Sequence, residues 1–203
     1  MPNHVLPQSF YLDSPDRVAR ALLGKVLVRE PDSAQEERTT GRIVETEAYF
    51  GRDDEAAHAC RGKTERNAVL FGPAGVAYLY LIYGVYFCLN FACEPEGRAG
   101  CVLIRALEPL TGLATMAARR RQPALAAKPH LLASGPGRLC QAMSITRAAH
   151  NGLDVTRKGA ALRVVDDGYT AGEIASTPRI GIQKATDRLL RYTLAASPFV
   201  SKR

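Results

Sequence analysis

Residues 76–91 read V-A-Y-L-Y-L-I-Y-G-V-Y-F-C-L-N-F. Two β-rich runs, Val76 to Ile82 and Val85 to Phe91, flank Tyr83-Gly84. Aromatic and branched side chains suit a pleated surface, and the glycine supplies the backbone freedom of a tight turn, so the stretch predicts a β-hairpin. Working outward, strands are expected at Lys25–Arg29, Gly41–Tyr49 and Cys101–Leu107, with shorter ones near residues 161–166, 178–182 and 190–194. Ser14-Pro15 opens a helix that Gly24 closes; a second helix is expected from Pro109 to about Arg121, and a third from Gly135-Pro136-Gly137 to about Ile145. Residues 30–40 form a polar connection, residues 50–75 lack a period, and the Ala/Pro-rich residues 122–134 read as a surface loop. Strands in runs with a few helices imply an α+β (mixed α/β) fold with a largely antiparallel sheet, in one domain over residues 1–203.

A chain of 203 residues can bury a core without staples. Its five cysteines include no C-x-x-C pair and three of them sit in apolar runs, which implies small buried thiols in a reducing compartment. His58 and Cys60 lack a second ligand pair at metal spacing, so no metal is expected, and no G-x-G-x-x-G or Walker loop implies a nucleotide cofactor. The N-terminus MPNHVLPQSFYLD has no basic or apolar leader region, and the longest apolar run is too short for a membrane span. A cytoplasmic, non-membrane chain is expected. The net charge is +7, and between Leu110 and Arg163 nine basic residues face one acid, Asp154. That excess favours a polyanionic partner.

The chemistry concentrates in R-I-V-E-T-E-A-Y-F-G-R-D-D-E-A-A-H, residues 42–58. On a strand, Glu45, Glu47 and Tyr49 share one face. Neighbouring carboxylates raise each other's pKa, so a pair kept on an otherwise apolar strand points to use. Glu47, with Glu45 behind it, Tyr49 ahead and His58 beyond, is the leading general-base candidate. Tyr78 and Tyr86 read as core residues, whereas Tyr83 at the turn tip is placed to act as a wedge between bases. Asn90 and Arg105 interrupt apolar strands. Asn90 either braces a loop or reads a ligand edge, and Arg105, on the strand face of Leu103, needs an anionic partner for which Glu108 is the nearest choice. Gly135-Pro136-Gly137 offers backbone N–H groups to a phosphate, and Arg138 adds charge.

Together these residues resemble the alkyladenine (3-methyladenine) DNA glycosylase family. The matching segments are R-I-V-E-T-E-A-Y with D-E-A-A-H, then Y-L-Y-L-I-Y-G-V-Y-F-C-L-N, C-V-L-I-R-A-L-E-P-L and S-G-P-G-R-L-C-Q-A-M, spread over roughly Ser14 to Ser201. The resemblance implies a curved antiparallel sheet with surrounding helices, double-stranded DNA carrying damaged purines as substrate, and a monomer that needs no metal or cofactor. It implies that Glu47 activates water for attack at C1′ beside Arg105. Tyr49, His58 and Tyr80 would line and stack on a flipped base, with Leu103 also against it. Asn90 would discriminate against unmodified guanine, Tyr83 would fill the gap in the duplex, and Arg138 would contact DNA. The chain departs from the family's vertebrate pattern between His58 and Phe71, where Val69-Leu70 replaces Gly-Met, and over residues 122–134. Two other readings remain open on the residues themselves. Glu45 and Glu47, about 7 Å apart, could serve a sugar O-glycosidase. The tyrosines could belong to a non-catalytic nucleic-acid-binding module.

Overall fold

The computed structural model describes residues 4–201; the reading of the chain's start also used residues 1–3, which lie outside them. The described strands are β1 (His4–Val5), β2 (Val26–Arg29), β3 (Thr39–Tyr49), β4 (Ala77–Ile82), β5 (Tyr86–Cys93), β6 (Gly100–Thr111), β7 (Leu162–Asp166), β8 (Ile174–Thr177) and β9 (Arg191–Leu194). The helices are α1 (Gln8–Tyr11), α2 (Pro15–Leu22), α3 (Leu113–Arg119), α4 (Pro136–Ala142) and α5 (Arg147–His150). The strands form one sheet in the order β1-β7-β2-β3-β6-β5-β4, with β9 and β8 attached beside β3, and every pairing is antiparallel.

β3 explains why the sheet curls. One of its edges follows β6 from Thr40 to Tyr49. Its other edge pairs with β2 over Thr39–Arg42, then with β9 over Glu45–Glu47. The register against β6 shifts around Ile43, Glu45 and Thr46, and such bulges bend a strand and strengthen its twist. The change of partner thus coincides with the bend, and the sheet wraps into an open half-barrel. α2 closes its core side, burying Val18, Ala19 and Leu22, while the Thr46 hydroxyl donates to the Ala19 carbonyl at 2.9 Å. Ile43, Leu89, Ile104 and Leu107 fill the interior between sheet and helices.

The hairpin forms as its residues require. Ile82 pairs with Tyr86, the Val85 N–H donates to the Ile82 carbonyl, and Tyr83 and Gly84 both have positive φ (49° and 70°). Glycine adopts that region freely; tyrosine does so at a cost.

Several expectations need correction. The helix placed from Pro109 begins at Leu113, after Gly112 at φ 74°; Pro109 to Thr111 finish β6, whose last residues are at the sheet's end where proline is tolerated. α4 stops at Ala142 rather than Ile145, because Ser144 turns to φ 52° and sends Ile145 into the core. Residues 178–182 are not a strand. The strand lies just before them, at Ile174–Thr177, and the following segment packs over the site. Residues 122–134 hold two 3₁₀ turns with Leu132 and Ala133 buried, so the segment is not simply a surface loop. Tyr86 is 37% exposed and covers Gly137 instead of entering the core, whereas Tyr78 is buried as expected.

Candidate active site

Strand register assembles the site. Glu47 on β3 stands opposite Leu103 on β6, Leu103 opposite Asn90 on β5, and Asn90 opposite Tyr78 on β4. Opposed residues of a sheet project to the same face, so segments far apart in sequence become one row. The next rows add Tyr49 opposite Cys101 and Tyr80 opposite Cys88. A cavity of about 870 Å³ opens on this face. The sheet gives it Tyr49, Tyr80, Asn90, Leu103 and Arg105; the irregular segment after β3 brings in His58. Tyr83 is at the rim, 87% exposed, and Arg138 of α4 closes the opposite side, its guanidinium 3.4 Å from the Ser134 carbonyl. All the sequence-derived candidates except Glu45 and Glu47 line this one cavity; Glu47 lies directly behind its wall, fully buried.

Three wall groups hold the Glu47 carboxylate. The Ile180 N–H donates to Oε1 at 2.8 Å, the Tyr49 hydroxyl donates to Oε2 at 2.8 Å, and the Arg105 Nη1 lies 3.3 Å from Oε1. A carboxylate has about four acceptor positions, so one remains. Burial raises the Glu47 pKa, and this outweighs the opposing pull of Arg105 and of the Ile180 and Tyr49 hydrogen bonds.

Glu45 is also fully buried, yet its surroundings differ. Its Oε1 accepts from the Nε of Arg105 and of Arg191, each at 2.7 Å, and from the Ser201 hydroxyl at 2.9 Å. Its Oε2 accepts the Ser201 N–H at 2.6 Å. Burial pushes its pKa up, but Arg105, Arg191 and Ser201 together hold it below the usual carboxylate range. The partner of Arg105 is therefore this pair of glutamates and not Glu108. Fully buried and tied to two arginines and Ser201, Glu45 is built as a structural anion rather than as the second carboxylate of a sugar O-glycosidase.

The aromatic wall is equally fixed. His58 packs edge-on against Tyr80 with ring centroids 4.3 Å apart, and its Nδ1 lies 3.0 Å from the Tyr78 hydroxyl. Burial, with Arg66 nearby, lowers the His58 pKa, so the ring is neutral near neutral pH. Burial also pushes the Cys88 thiol up to about 11 and the Cys101 thiol up to about 12, which leaves both pocket sulfurs protonated and unreactive. Asn90 is buried, its Nδ2 donating to the carbonyls of Tyr78 (3.3 Å) and Cys88 (3.4 Å). Among the described residues no group of three His, Cys, Asp or Glu is arranged to hold a metal ion.

Sequence reading missed five residues that fix this geometry. Arg179 forms a buried bidentate ion pair with Asp54, donates to the Ala48 carbonyl at 2.9 Å, and covers the Tyr49 ring at 4.5 Å. It thereby pins the segment that delivers the Ile180 N–H to Glu47. Asp54 stood inside a quoted motif, but nothing in the spacing linked it to Arg179. Arg191 and Ser201 both engage Glu45, and the Ser201 hydroxyl also accepts from Arg105 at 3.4 Å. The basic run also needs revision as a surface field. Arg119 pairs with Glu36, Arg157 with Asp154 and Arg163 with Glu30, and Arg120 donates to the Leu131 and Leu132 carbonyls. Much of that charge is thus spent on the fold.

Comparison with known proteins agrees with the geometry. The profile of the family described as methylpurine-DNA glycosylase (MPG) matches residues 9–198. Three relatives share the name "Putative 3-methyladenine DNA glycosylase". That of Koribacter versatilis is 54% identical over 197 residues, covering 97% of this chain and 92% of the relative. That of Methanocella arvoryzae is 49% identical over 202 residues, with 98% and 96% covered. That of Alkaliphilus oremlandii is 42% identical over 206 residues, with 98% and 99% covered. A passive binding module is thereby set aside. No helix of the described residues is long and apolar enough to cross a membrane. The chain belongs to the methylpurine-DNA glycosylase family and is a DNA glycosylase, an enzyme acting on N-glycosyl bonds.

Proposed function

We propose that the protein is a monofunctional glycosylase of base-excision repair that flips alkylated or deaminated purines from duplex DNA into the 870 Å³ cavity and hydrolyses the bond to C1′. The observation that carries this reading is the Glu47 carboxylate. It is buried, raised in pKa, held on three sides and left with one open acceptor position behind an aromatic pocket. A water in that position loses its proton to Glu47 as it attacks C1′. The carboxylate has no accessible surface in this conformation, so the water must displace part of the wall, and the half-buried Tyr49, which shares Oε2, is the group that gives way. The negative charge of Glu47 also favours the oxocarbenium-like sugar that forms as the base departs. Arg105 keeps Glu47 ionised against burial and presents its cation to the target backbone.

Tyr80 and His58, packed edge-on with ring centroids 4.3 Å apart, form one aromatic wall of the pocket against which the base stacks. Tyr83 takes the base's place in the stack. The only lysine among the cavity-lining residues is Lys184, at the rim and 3.4 Å from Glu55, away from Glu47's row. The product is therefore an abasic site in an unbroken strand. The protein acts alone, as a cytoplasmic monomer on DNA. A panel of duplexes, each with one modified purine, tests the reading. Base release with the strand intact is expected for at least one methylated purine or hypoxanthine. Release of none, or covalent trapping on DNA by borohydride, overturns it.

A further inference from the structure

A second cavity, of about 290 Å³, lies at the outer edge of β4, and Tyr80 belongs to the walls of both cavities. Leu79 and Leu81 complete the strand side, while Arg66 and Arg147 reach in from separate segments. Neither arginine has an ion-pair partner among the described residues, in contrast to Arg119, Arg157, Arg163 and Arg179. Both act electrostatically on the Tyr78 hydroxyl, and Arg66 also acts on His58, so the two cations bear on one small region. No acidic residue lines the cavity. Two like charges brought together without a counter-ion repel, and an anion between them removes that cost.

The strand edge adds a third donor. β4 ends the sheet, and its outward amides at Ala77 and Leu79 donate to the Leu153 carbonyl and to Asn151 Oδ1. A period of two puts the Leu81 N–H next along that edge, and Leu81 lines the cavity. Two guanidinium forks and a backbone N–H match the oxygens of a tetrahedral anion.

We propose that this cavity grips one backbone phosphodiester of the DNA, at a site distinct from the base pocket and on the far side of the Tyr80 wall. The choice of a DNA phosphate over a free anion rests on the base-excision reading above. Phosphate contacts position a duplex without reading its sequence, so this site sets where the strand lies relative to Tyr83 and the pocket mouth.

The test uses the whole protein with Arg66→Gln, Arg147→Gln and the double variant, binding damaged and undamaged duplexes over a salt series. Both side chains are exposed, so folding is expected to survive. The double variant should bind about tenfold more weakly at about 50 mM salt, and the slope of log affinity against log salt should be shallower by about 0.9, the value for one neutralised phosphate. Each single variant should show most of that loss, because both arginines hold the same group. Loss should be equal on damaged and undamaged DNA. Replacing phosphates one at a time with neutral methylphosphonate should weaken the wild-type protein at one position to which the double variant is indifferent. An unchanged salt slope and an unchanged methylphosphonate profile in the double variant overturn the site. Binding of millimolar inorganic phosphate to the wild-type protein but not the double variant, with the duplex left in place, overturns the DNA assignment in favour of a free-anion site. Undamaged-duplex binding is read without excision, so failure of the base-excision reading would appear separately, as absent base release with this salt effect intact.

Discussion

Glu45 and Glu47 occupy the same strand, two residues apart, and are equally buried, yet the protein treats them in opposite ways. Four donor contacts from Arg105, Arg191 and Ser201 engage Glu45, and with the arginine charges they lower its pKa. Glu47 receives three contacts, keeps an acceptor position open and has its pKa raised. Arg105 touches both, with Nε on Glu45 and Nη1 on Glu47. One carboxylate therefore serves as an anchor that fixes a cation, and the cation keeps the second carboxylate usable. Burial alone does not mark a functional acid. What marks it is burial with an incomplete set of partners.

The sharpest way to break this comparison is to neutralise each acid in turn. Glu47→Gln preserves shape and removes basicity, so base release should fall by about 100- to 10,000-fold. It also removes an under-compensated buried charge, so the melting temperature should hold or rise. Glu45→Gln should do the reverse in stability. It leaves Arg105 and Arg191 buried without their anion, at a cost of about 3–5 kcal/mol. For a domain of this size that is a drop on the order of 10 °C. Equal destabilisation by the two changes, measured by thermal melts beside single-turnover excision, would erase the distinction between anchor and base.

A pH titration sharpens it further, because the two shifts have opposite signs. Glu45 is depressed when folded, so its contribution is present above the ordinary carboxylate pKa and disappears as the pH falls through the lower, folded value. Glu47 is raised when folded, so the native state holds the extra proton between the ordinary and the raised value, and stability declines as pH rises through that window. The proposed mechanism needs Glu47 deprotonated. The acid limb of the excision rate should therefore lie above the ordinary carboxylate range and vanish in Glu47→Gln. A limb at or below the ordinary range would assign the base elsewhere.

The contrast also shows what a sequence can carry. The hairpin, β3 and the antiparallel class were legible because they rest on local patterns: alternation, β-branched and aromatic side chains, and a glycine at the turn. The nomination of Glu47, Tyr49 and His58 came from one short segment. The row Glu47, Leu103, Asn90 and Tyr78 depends on strand register across four strands, which the sequence does not display. The anchoring of Glu45 was hidden for the same reason, since Arg191 and Ser201 lie about 150 residues further along the chain. The false strand at 178–182 arose because alternation in R-I-G-I suits both a strand and a loop packed on a sheet. The misplaced helix start at Pro109 arose because proline is accepted at a helix's first turn and also at a strand's end.

Tyr83 offers a smaller test, outside the carboxylate row. Its backbone sits at φ 49°, a conformation that costs on the order of 1–3 kcal/mol for a bulky residue, and its ring is almost wholly exposed. The proposed wedge role gives that strain a use. Tyr83→Gly should raise the melting temperature slightly while weakening lesion excision in duplex DNA by about tenfold or more, since the wedge offsets an unstacking cost of a few kcal/mol. In single-stranded DNA little stacking is lost, so the defect should shrink. An equal defect in both substrates would remove Tyr83 from the wedge role.

The smallest expected effect concerns Asn90, and it asks whether the rest of the row is as discriminating as its first member. Normal guanine differs from adenine and hypoxanthine by an amino group at C2, and the pocket must refuse it. Asn90 borders the cavity one strand beyond Leu103, with its Nδ2 held by the Tyr78 and Cys88 carbonyls. An amide that donates to two carbonyls resists rotation, and on the proposed reading it excludes the added amino group by contact. Both hydrogen bonds are long, 3.3 and 3.4 Å, so they add little to stability and the amide's value lies in its position. Asn90→Ser is shorter and opens that corner. Release of guanine lesions should rise several-fold relative to hypoxanthine, and the melting temperature should fall by an amount worth about 1 kcal/mol. If Asn90 merely ties β4 to β5, the stability loss will appear with an unchanged substrate ratio. Measuring both excision rates beside the melt separates a residue that reads the base from one that braces the hairpin, as the paired substitutions at Glu45 and Glu47 separate anchor from base.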